Sequence, residues 1–322
     1  MSNYNRYNFA NPTVSDVNPV NPVLTSLSVG FKNESFMWSE IAPQHASDLQ
    51  SGTFPVYTRD AWFKRQGGAE RAANANYQRI DYGVSTDTFK TVEIGYEKIL
   101  PDVVRNSNQF GDNLETKDVA FLTNIMELEI EKRVAAATFV TAVWGTSNTL
   151  SGTSQWSDFA NSDPISDSDT AIRTILRNTG AKPNNLFMGL LAWEKLKEHP
   201  LILDKYKHTQ VGIMTEDLVA AVLGVGKITV GSSVENTAAE GQTFVGADIW
   251  TDNALFQVVN PPSLDVAMSA MTIIWNERGN VPWAIESYRE EQTRGDVNRI
   301  FTHLAPKIVS SQHGYLFIDT VA

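Results

Sequence analysis

The chain has 322 residues, of which 42% are hydrophobic and 20% charged, with a formal net charge of -11. That is enough for one large domain or two closely joined ones, and the acidic balance argues against a protein that grips nucleic acid over a broad surface. There is no cysteine, which excludes disulfides, thiolate-held metals and a cysteine nucleophile.

No apolar run approaches the ~20 residues of a membrane helix. The polar start, Met1–Phe9, lacks the charged and apolar pattern of a secretion signal. The expectation is a soluble protein that stays in the cytoplasm where it is made, with no membrane partner.

Residues 1–30 are rich in Asn and Pro, with Pro12, Pro19 and Pro22 biasing the chain away from helix. They read as an extended arm, expected to lie on a neighbouring molecule. A short amphipathic segment with Phe31, Phe36, Trp38 and Ile41 closes at Pro43. The next stretch reads as a hairpin. Phe54–Tyr57 and Tyr77–Tyr82 are two strand-like limbs around a tip holding Lys64, Arg65, Gly67, Gly68 and Arg71. Its aromatics Phe54, Tyr57, Trp62, Phe63, Tyr77 and Tyr82 alternate with cations instead of lining one dry face, a composition that favours protein interfaces over a private core. Residues 83–104 return as strand, with Val84, Phe89, Val92, Ile94, Tyr96 and Ile99 in frequent alternation before Pro101.

The clearest helix is expected over residues 113–143, with Asn113 as its cap and Glu115 and Asp118 near its positive end. Two stripes run along it: Leu114, Phe121, Ile125, Leu128, Ala135 and Phe139, beside Val119, Leu122, Met126, Ile130 and Val134. So wide a band predicts burial on more than one side, along roughly 45 Å of helix. A polar loop follows at 144–168. Helix and strand then alternate: helix Thr170–Thr179 stopped by Gly180, strand Asn185–Gly189, helix Leu191–Glu198 stopped by Pro200, helix Glu216–Leu223 stopped by Gly224, strand Lys227–Gly231. Strands are expected within Thr243–Ala267, and at Thr272–Trp275, Ile285–Tyr288, Val297–Leu304, Lys307–Val309 and Gly314–Ile318.

Chemistry-bearing patterns are weak. The five histidines have no i, i+4 pair, and no H-E-x-x-H occurs. Asp163, Asp167 and Asp169 lack calcium-loop spacing and read as acids at a helix N-terminus. Gly224-Val-Gly-Lys227 matches no phosphate loop and reads as a helix stop and turn. No compact set of acid, base and nucleophile assembles, so neither catalytic residues nor a cofactor are expected. The charged run Arg289–Arg299, with Glu290, Glu291 and Asp296, suits either ion pairing across a strand or subunit boundary, or a solvated face.

Several stretches, in order, carry a family resemblance: Phe54-Pro-Val-Tyr-Thr-Arg-Asp-Ala-Trp-Phe63, Trp144-Gly-Thr146, Gln155-Trp-Ser-Asp158, Lys182-Pro-Asn184, Trp193-Glu-Lys-Leu196, His199-Pro200, Ile228-Thr-Val-Gly231, Asn236-Thr-Ala238, Tyr288-Arg-Glu-Glu291 and Gly314-Tyr-Leu-Phe317. With the order of arm, hairpin, long helix, α/β unit and returning strands, the chain resembles the major capsid proteins of tailed bacteriophages, of the Hong Kong 97 type.

The resemblance implies an α+β fold with an N-terminal arm (1–50), an E-loop (51–96), a P-domain with its spine helix (97–163, helix 113–143), an A-domain (164–280) and C-terminal P-domain strands (281–322). It implies a non-enzymatic subunit that builds pentamers and hexamers into an icosahedral shell around double-stranded DNA, without sequence-specific binding. Expected inter-subunit contacts are Tyr57, Arg59, Trp62, Phe63, Lys64, Arg65 and Arg71 on the E-loop, and Tyr4, Tyr7 and Phe9 on the arm. The expected location is the virion, after assembly in the host cytoplasm. The short stretch before the hairpin has no coiled-coil heptads, so a separate scaffolding protein is expected rather than a cleaved leader; a portal and a decoration protein complete the expected partners. Two other readings fit the residues: an encapsulin-like shell around protein cargo, and, from another class, an oligomeric α/β enzyme with an extended arm.

Overall fold

Three short strands read as nearly continuous apolar runs, and the central sheet is organised around them. The structure is a computed structural model. It describes residues 33, 36–57, 59–65, 67, 70, 71, 73, 74, 76–107, 114–206, 215–261, 268–276 and 282–322. The strand and helix sequence begins with α1 (Trp38–Ile41), β1 (Gln44–Ser47), β2 (Ser51–Tyr57), α2 (Arg59–Phe63), β3 (Val84–Lys90), β4 (Val92–Pro101), α3 (Asp102–Asn106) and the long α4 (Leu114–Thr138). It continues with β5 (Ser147–Thr149), α5 (Pro164–Thr179), β6 (Asn185–Gly189), α6 (Leu190–Glu198), α7 (Pro200–Tyr206), α8 (Glu216–Leu223), β7 (Lys227–Gly231), β8 (Val234–Asn236) and β9 (Gly246–Asp248). It ends with β10 (Ala254–Gln257), β11 (Ala270–Trp275), β12 (Ala284–Glu290), β13 (Gly295–Ile308) and β14 (Gly314–Ile318).

The chain divides into two units. The larger comprises Asn33–Gly95, Ile125–Ala284 and Phe301–Ala322. Its central sheet has the order β5-β14-β10-β6-β7. The runs Leu186–Met188, Ala254–Phe256 and Leu316–Phe317 are buried on successive residues, as strands covered on both faces require. β6 and β7 are parallel, which demands a crossover, and α6, α7 and α8 supply it. The core on one side joins Leu186, Met188, Phe256 and Phe317 to Ile175 of α5, Leu196 of α6 and Leu223 of α8. Gly180 (φ 69°) and Gly224 (φ 75°) end α5 and α8 in the left-handed conformation that a side chain resists. In the same unit β1 pairs parallel with β11, and β11 pairs antiparallel with the last residues of β13.

Several boundaries differ from the sequence expectation. The long helix ends at Thr138 rather than 143, giving about 37 Å of helix. The Trp144 indole N–H donates to the Thr138 carbonyl at 2.6 Å, and the Phe139 ring leaves the helix path to pack 5.0 Å from Trp250. The second stripe carries most of the burial: Leu122, Met126, Ile130 and Val134, each four residues on, are at most 2% exposed, whereas in the first stripe Ala135 is buried but Phe121 is 53% exposed. The Asn113 cap lies outside the described residues. Helix α5 starts six residues before the expected Thr170, because Pro164 fits the first turn and the Asp163 carboxylate accepts from the backbone N–H groups of Ile165 and Ser166. The final strand, β14, joins the central sheet between β5 and β10. The expected strands Val297–Leu304 and Lys307–Val309 form one strand, β13, through Pro306.

The smaller unit comprises Tyr96–Asn124 and Ile285–Ile300 beside residues outside the described range. Here the run Arg289–Arg299 forms ion pairs across strands. Arg289 grips Asp102 with two nitrogens, at 2.7 and 2.5 Å, and reaches Asp296 at 3.2 Å. Arg105 bonds Asp296 and also Glu115, at 3.0 Å. These arginines hold the Asp102 and Asp296 carboxyls below the usual aspartate range. Arg299 pairs with Glu97 at 3.1 Å and covers the Tyr288 ring.

Candidate subunit interface

The hairpin is built from β2 and β3, antiparallel from Ser51↔Lys90 to Tyr57↔Val84. The second limb is therefore Val84–Lys90, not Tyr77–Tyr82, which has no regular structure and lies exposed. The reason is local. Val84–Lys90 carries Thr and Phe in strand alternation, while 77–82 interposes Gln78, Arg79 and Asp81, and the Asp81 carboxylate accepts from the Tyr82 N–H instead of a ladder partner.

The base of the hairpin is fixed. Phe54 is 5% exposed. Lys307 bonds Asp87 at 2.8 Å and stands 6.0 Å from the centre of the Phe54 ring. Its bond holds the Asp87 carboxyl below the ordinary range.

The tip differs. Helix α2 carries Arg59, Trp62 and Phe63, with Lys64 and Arg65 exposed after it. Tyr57, Trp62 and Tyr82 form a mutual cluster with ring centres 6.0–6.1 Å apart, yet Trp62 is 66% exposed. The Arg71 guanidinium lies 4.4 Å from the centre of the Tyr77 ring. Arg59 donates to the Gln312 side-chain oxygen at 3.3 Å. Between hairpin and body is a cavity of about 600 Å³, lined by Val56, Arg59, Phe63, Thr179, Val309 and His313 among others. Thus six of the seven expected hairpin contacts (Tyr57, Arg59, Trp62, Phe63, Lys64 and Arg65) are gathered at or beside α2, and Arg71 stands with Tyr77. Tyr4, Tyr7 and Phe9 lie outside the described residues.

A second cluster escaped the sequence reading. Glu131, fully buried on α4, accepts from the backbone N–H groups of Met37 (2.9 and 3.1 Å) and Trp38 (2.8 Å), from the Ser233 hydroxyl (3.0 Å) and from the Trp250 indole (2.5 Å). One carboxylate ties together α4, the start of α1, the turn before β8 and Trp250. Burial pushes its carboxyl up, against the pull of the four donors. Nearby segments are tied similarly. Asn33 makes paired bonds to the Val234 backbone, and Glu40 accepts from Lys227 and Thr229 at 2.7 and 2.8 Å. Nothing local in the sequence marks it, since Glu127 and Glu129 stand beside it on the same helix.

The residues weighed for chemistry have structural employment. Asp163 caps α5, and Asp167 accepts from the Trp156 indole at 3.0 Å. Gly224–Lys227 is a helix stop leading into β7. Among the described residues no group of His, Asp and Glu is placed to hold a metal ion.

An α/β body thus carries a hairpin that exposes its aromatics, a composition that suits protein interfaces. The comparisons name the family. The chain is 30% identical over 254 residues to the major capsid protein of Burkholderia phage BcepMu, covering 76% of this chain and 78% of that one. The crystal structure of a phage-related protein from Bordetella bronchiseptica RB50 superposes with a TM-score of 0.71 at 22% identity, covering 94% and 97% of the two chains. The capsid of cyanophage P-SCSP1u matches with a TM-score of 0.62 at 12% identity, over 91% and 90%. No family model matches. The chain belongs to the phage major capsid proteins, and its fold is their α+β capsid fold.

Proposed function

We propose that this subunit assembles through pentamers and hexamers into an icosahedral shell enclosing double-stranded phage DNA, and that it acts by contact rather than catalysis. In this reading 1–50 is the N-terminal arm, 51–96 the E-loop, 97–163 and 281–322 the P-domain, and 164–280 the A-domain. The observation that carries it is the hairpin tip, where Tyr57, Trp62, Phe63 and Tyr82 stay at least 49% exposed beside Lys64 and Arg65. An exposed aromatic and cationic group on a rigid base suits a protein interface. Symmetry then multiplies modest contacts into a closed container. Arm residues Tyr4, Tyr7 and Phe9 are assigned to the same task. Assembly takes place in the host cytoplasm with a separate scaffolding protein, a portal and a decoration protein. The net charge of -11 discourages adhesion to the packaged polyanion.

Negative-stain microscopy of the protein co-expressed with its scaffolding protein tests this. Closed shells with five- and six-membered rings are expected. A stable dimer or tetramer under all conditions would overturn the reading. Shells filled with protein and never DNA in infected cells would move the function to a cargo compartment.

A further inference from the structure

Folded interiors keep few voids larger than a water molecule, yet about 600 Å³ stays open between the hairpin and the body. Small-molecule sites have that size. The hairpin wall is aromatic. Tyr57, Trp62 and Phe63 line it and remain 49%, 66% and 62% exposed, so large ring faces still meet water. Val56 on the same side, with Met268 and Val309 on the body side, adds aliphatic surface. Charge in the lining has one sign: among the described residues Arg59 lines the cavity and no Asp or Glu does. The Arg59 guanidinium donates to the neutral side-chain oxygen of Gln312 at 3.3 Å, a long bond, and has no ion pair among the described residues. Lys64 and Arg65, exposed after α2, outweigh Asp60 within it, so the local charge is positive.

We propose that this cavity binds a small aromatic carboxylate, with its rings against Trp62 and Phe63 and its carboxylate on Arg59. The guanidinium then exchanges a long bond to a neutral amide for a charge-assisted pair, and its fork matches the two carboxylate oxygens. The walls favour a flat, rigid body over an alkyl chain. Ring edges and faces attract one another beyond simple burial, and a rigid ligand loses little freedom on binding. Covering the exposed rings supplies the driving force, and the carboxylate supplies the orientation. A ligand held in this way touches hairpin and body at once, so it also ties the two together. The site stands apart from the shell reading, because binding is read on the purified full-length chain whether or not it assembles.

Titration calorimetry with 2-naphthoate tests this, with its neutral amide and the aliphatic acid decanoate as comparisons. Saturable one-site binding with a Kd below about 1 mM is expected for 2-naphthoate. The neutral amide, and the Arg59→Gln variant with the acid, should each bind about tenfold more weakly. Trp62→Ala should weaken the acid about fivefold. Both side chains are exposed, so the urea midpoints of the two variants should stay at the wild-type value. With 2-naphthoate bound, hydrogen exchange should slow in residues 54–57, 59–63 and 309–313 together. No saturable binding up to about 10 mM overturns the site. Equal affinity for acid and amide, or for wild type and Arg59→Gln, overturns the contact with Arg59. Tighter binding of decanoate overturns the aromatic class, and protection confined to other segments overturns the location.

Discussion

Glu131 and the hairpin tip handle polar and aromatic groups in opposite ways. Glu131 is a fully buried carboxyl group, and both of its oxygens accept from N–H or O–H groups of its own chain. The tip keeps large apolar rings in water, leaves two cations exposed and touches the body at a few points. The first arrangement is complete within one chain. The second leaves rings and cations to solvent, and the proposed function completes it with another copy. Stability and assembly are thus assigned to different residues, and variants at the two places should separate them.

The largest effect is expected from Glu131→Ala. It strands four donors in a dry site, which costs on the order of 3 kcal/mol or more. Urea unfolding measures the loss, and exchange at the Met37 and Trp38 amides should rise with it. Glu131→Gln should recover only part of the stability, because its amide N–H must face another N–H. A near-neutral Glu131→Ala would erase the contrast drawn above.

Acid gives the next effect. Burial holds the His199 and His313 pKa values below the usual 6.5. His199 shows the geometry: its Nδ1 accepts from the Leu201 N–H at 3.3 Å, so the Nε2 proton is directed at the Ser162 hydroxyl, 3.0 Å away. A second proton would have to sit against the Leu201 N–H. The unfolded chain therefore takes up protons near pH 6.5 before the folded one does. Stability should be full above that value and fall as the pH drops below it. Urea midpoints at stepped pH test this, and a neutral residue at either position should flatten the slope. A stability that rises on acidification from pH 7 to 5.5 would refute it.

The smallest global effect is expected at the hairpin base. Asp87→Asn removes a half-exposed ion pair with Lys307, worth under ~1 kcal/mol, while exchange across β2 and β3 should increase visibly. Equal protection of the hairpin in wild type and variant would show that Phe54 alone holds the base.

Legibility in the sequence followed the range of the interaction. Gly180 and Gly224 announced the ends of α5 and α8, and the apolar runs at 185–189 and 227–231 announced β6 and β7, because left-handed caps and strand alternation are local properties. The tip residues were legible because aromatics interleaved with cations are conspicuous wherever they fall. What stayed hidden depended on distant partners. Trp144 ends α4 through a hydrogen bond that no periodicity encodes. Val84–Lys90 rather than Tyr77–Tyr82 pairs β2, since pairing is decided by the register available across the loop. Glu131 looked like one more helix carboxylate, because its four donors come from residues 37, 38, 233 and 250.

The place of β14 has a consequence for synthesis. It follows both β5 and β10 in the chain, yet it lies between them, and it is the strand that β5 pairs with. Until Gly314–Ile318 emerges, β10 has an open edge and β5 lacks that neighbour, so the central sheet cannot close before that segment has been made. A nascent chain whose hairpin has long been exposed still lacks a finished body behind it.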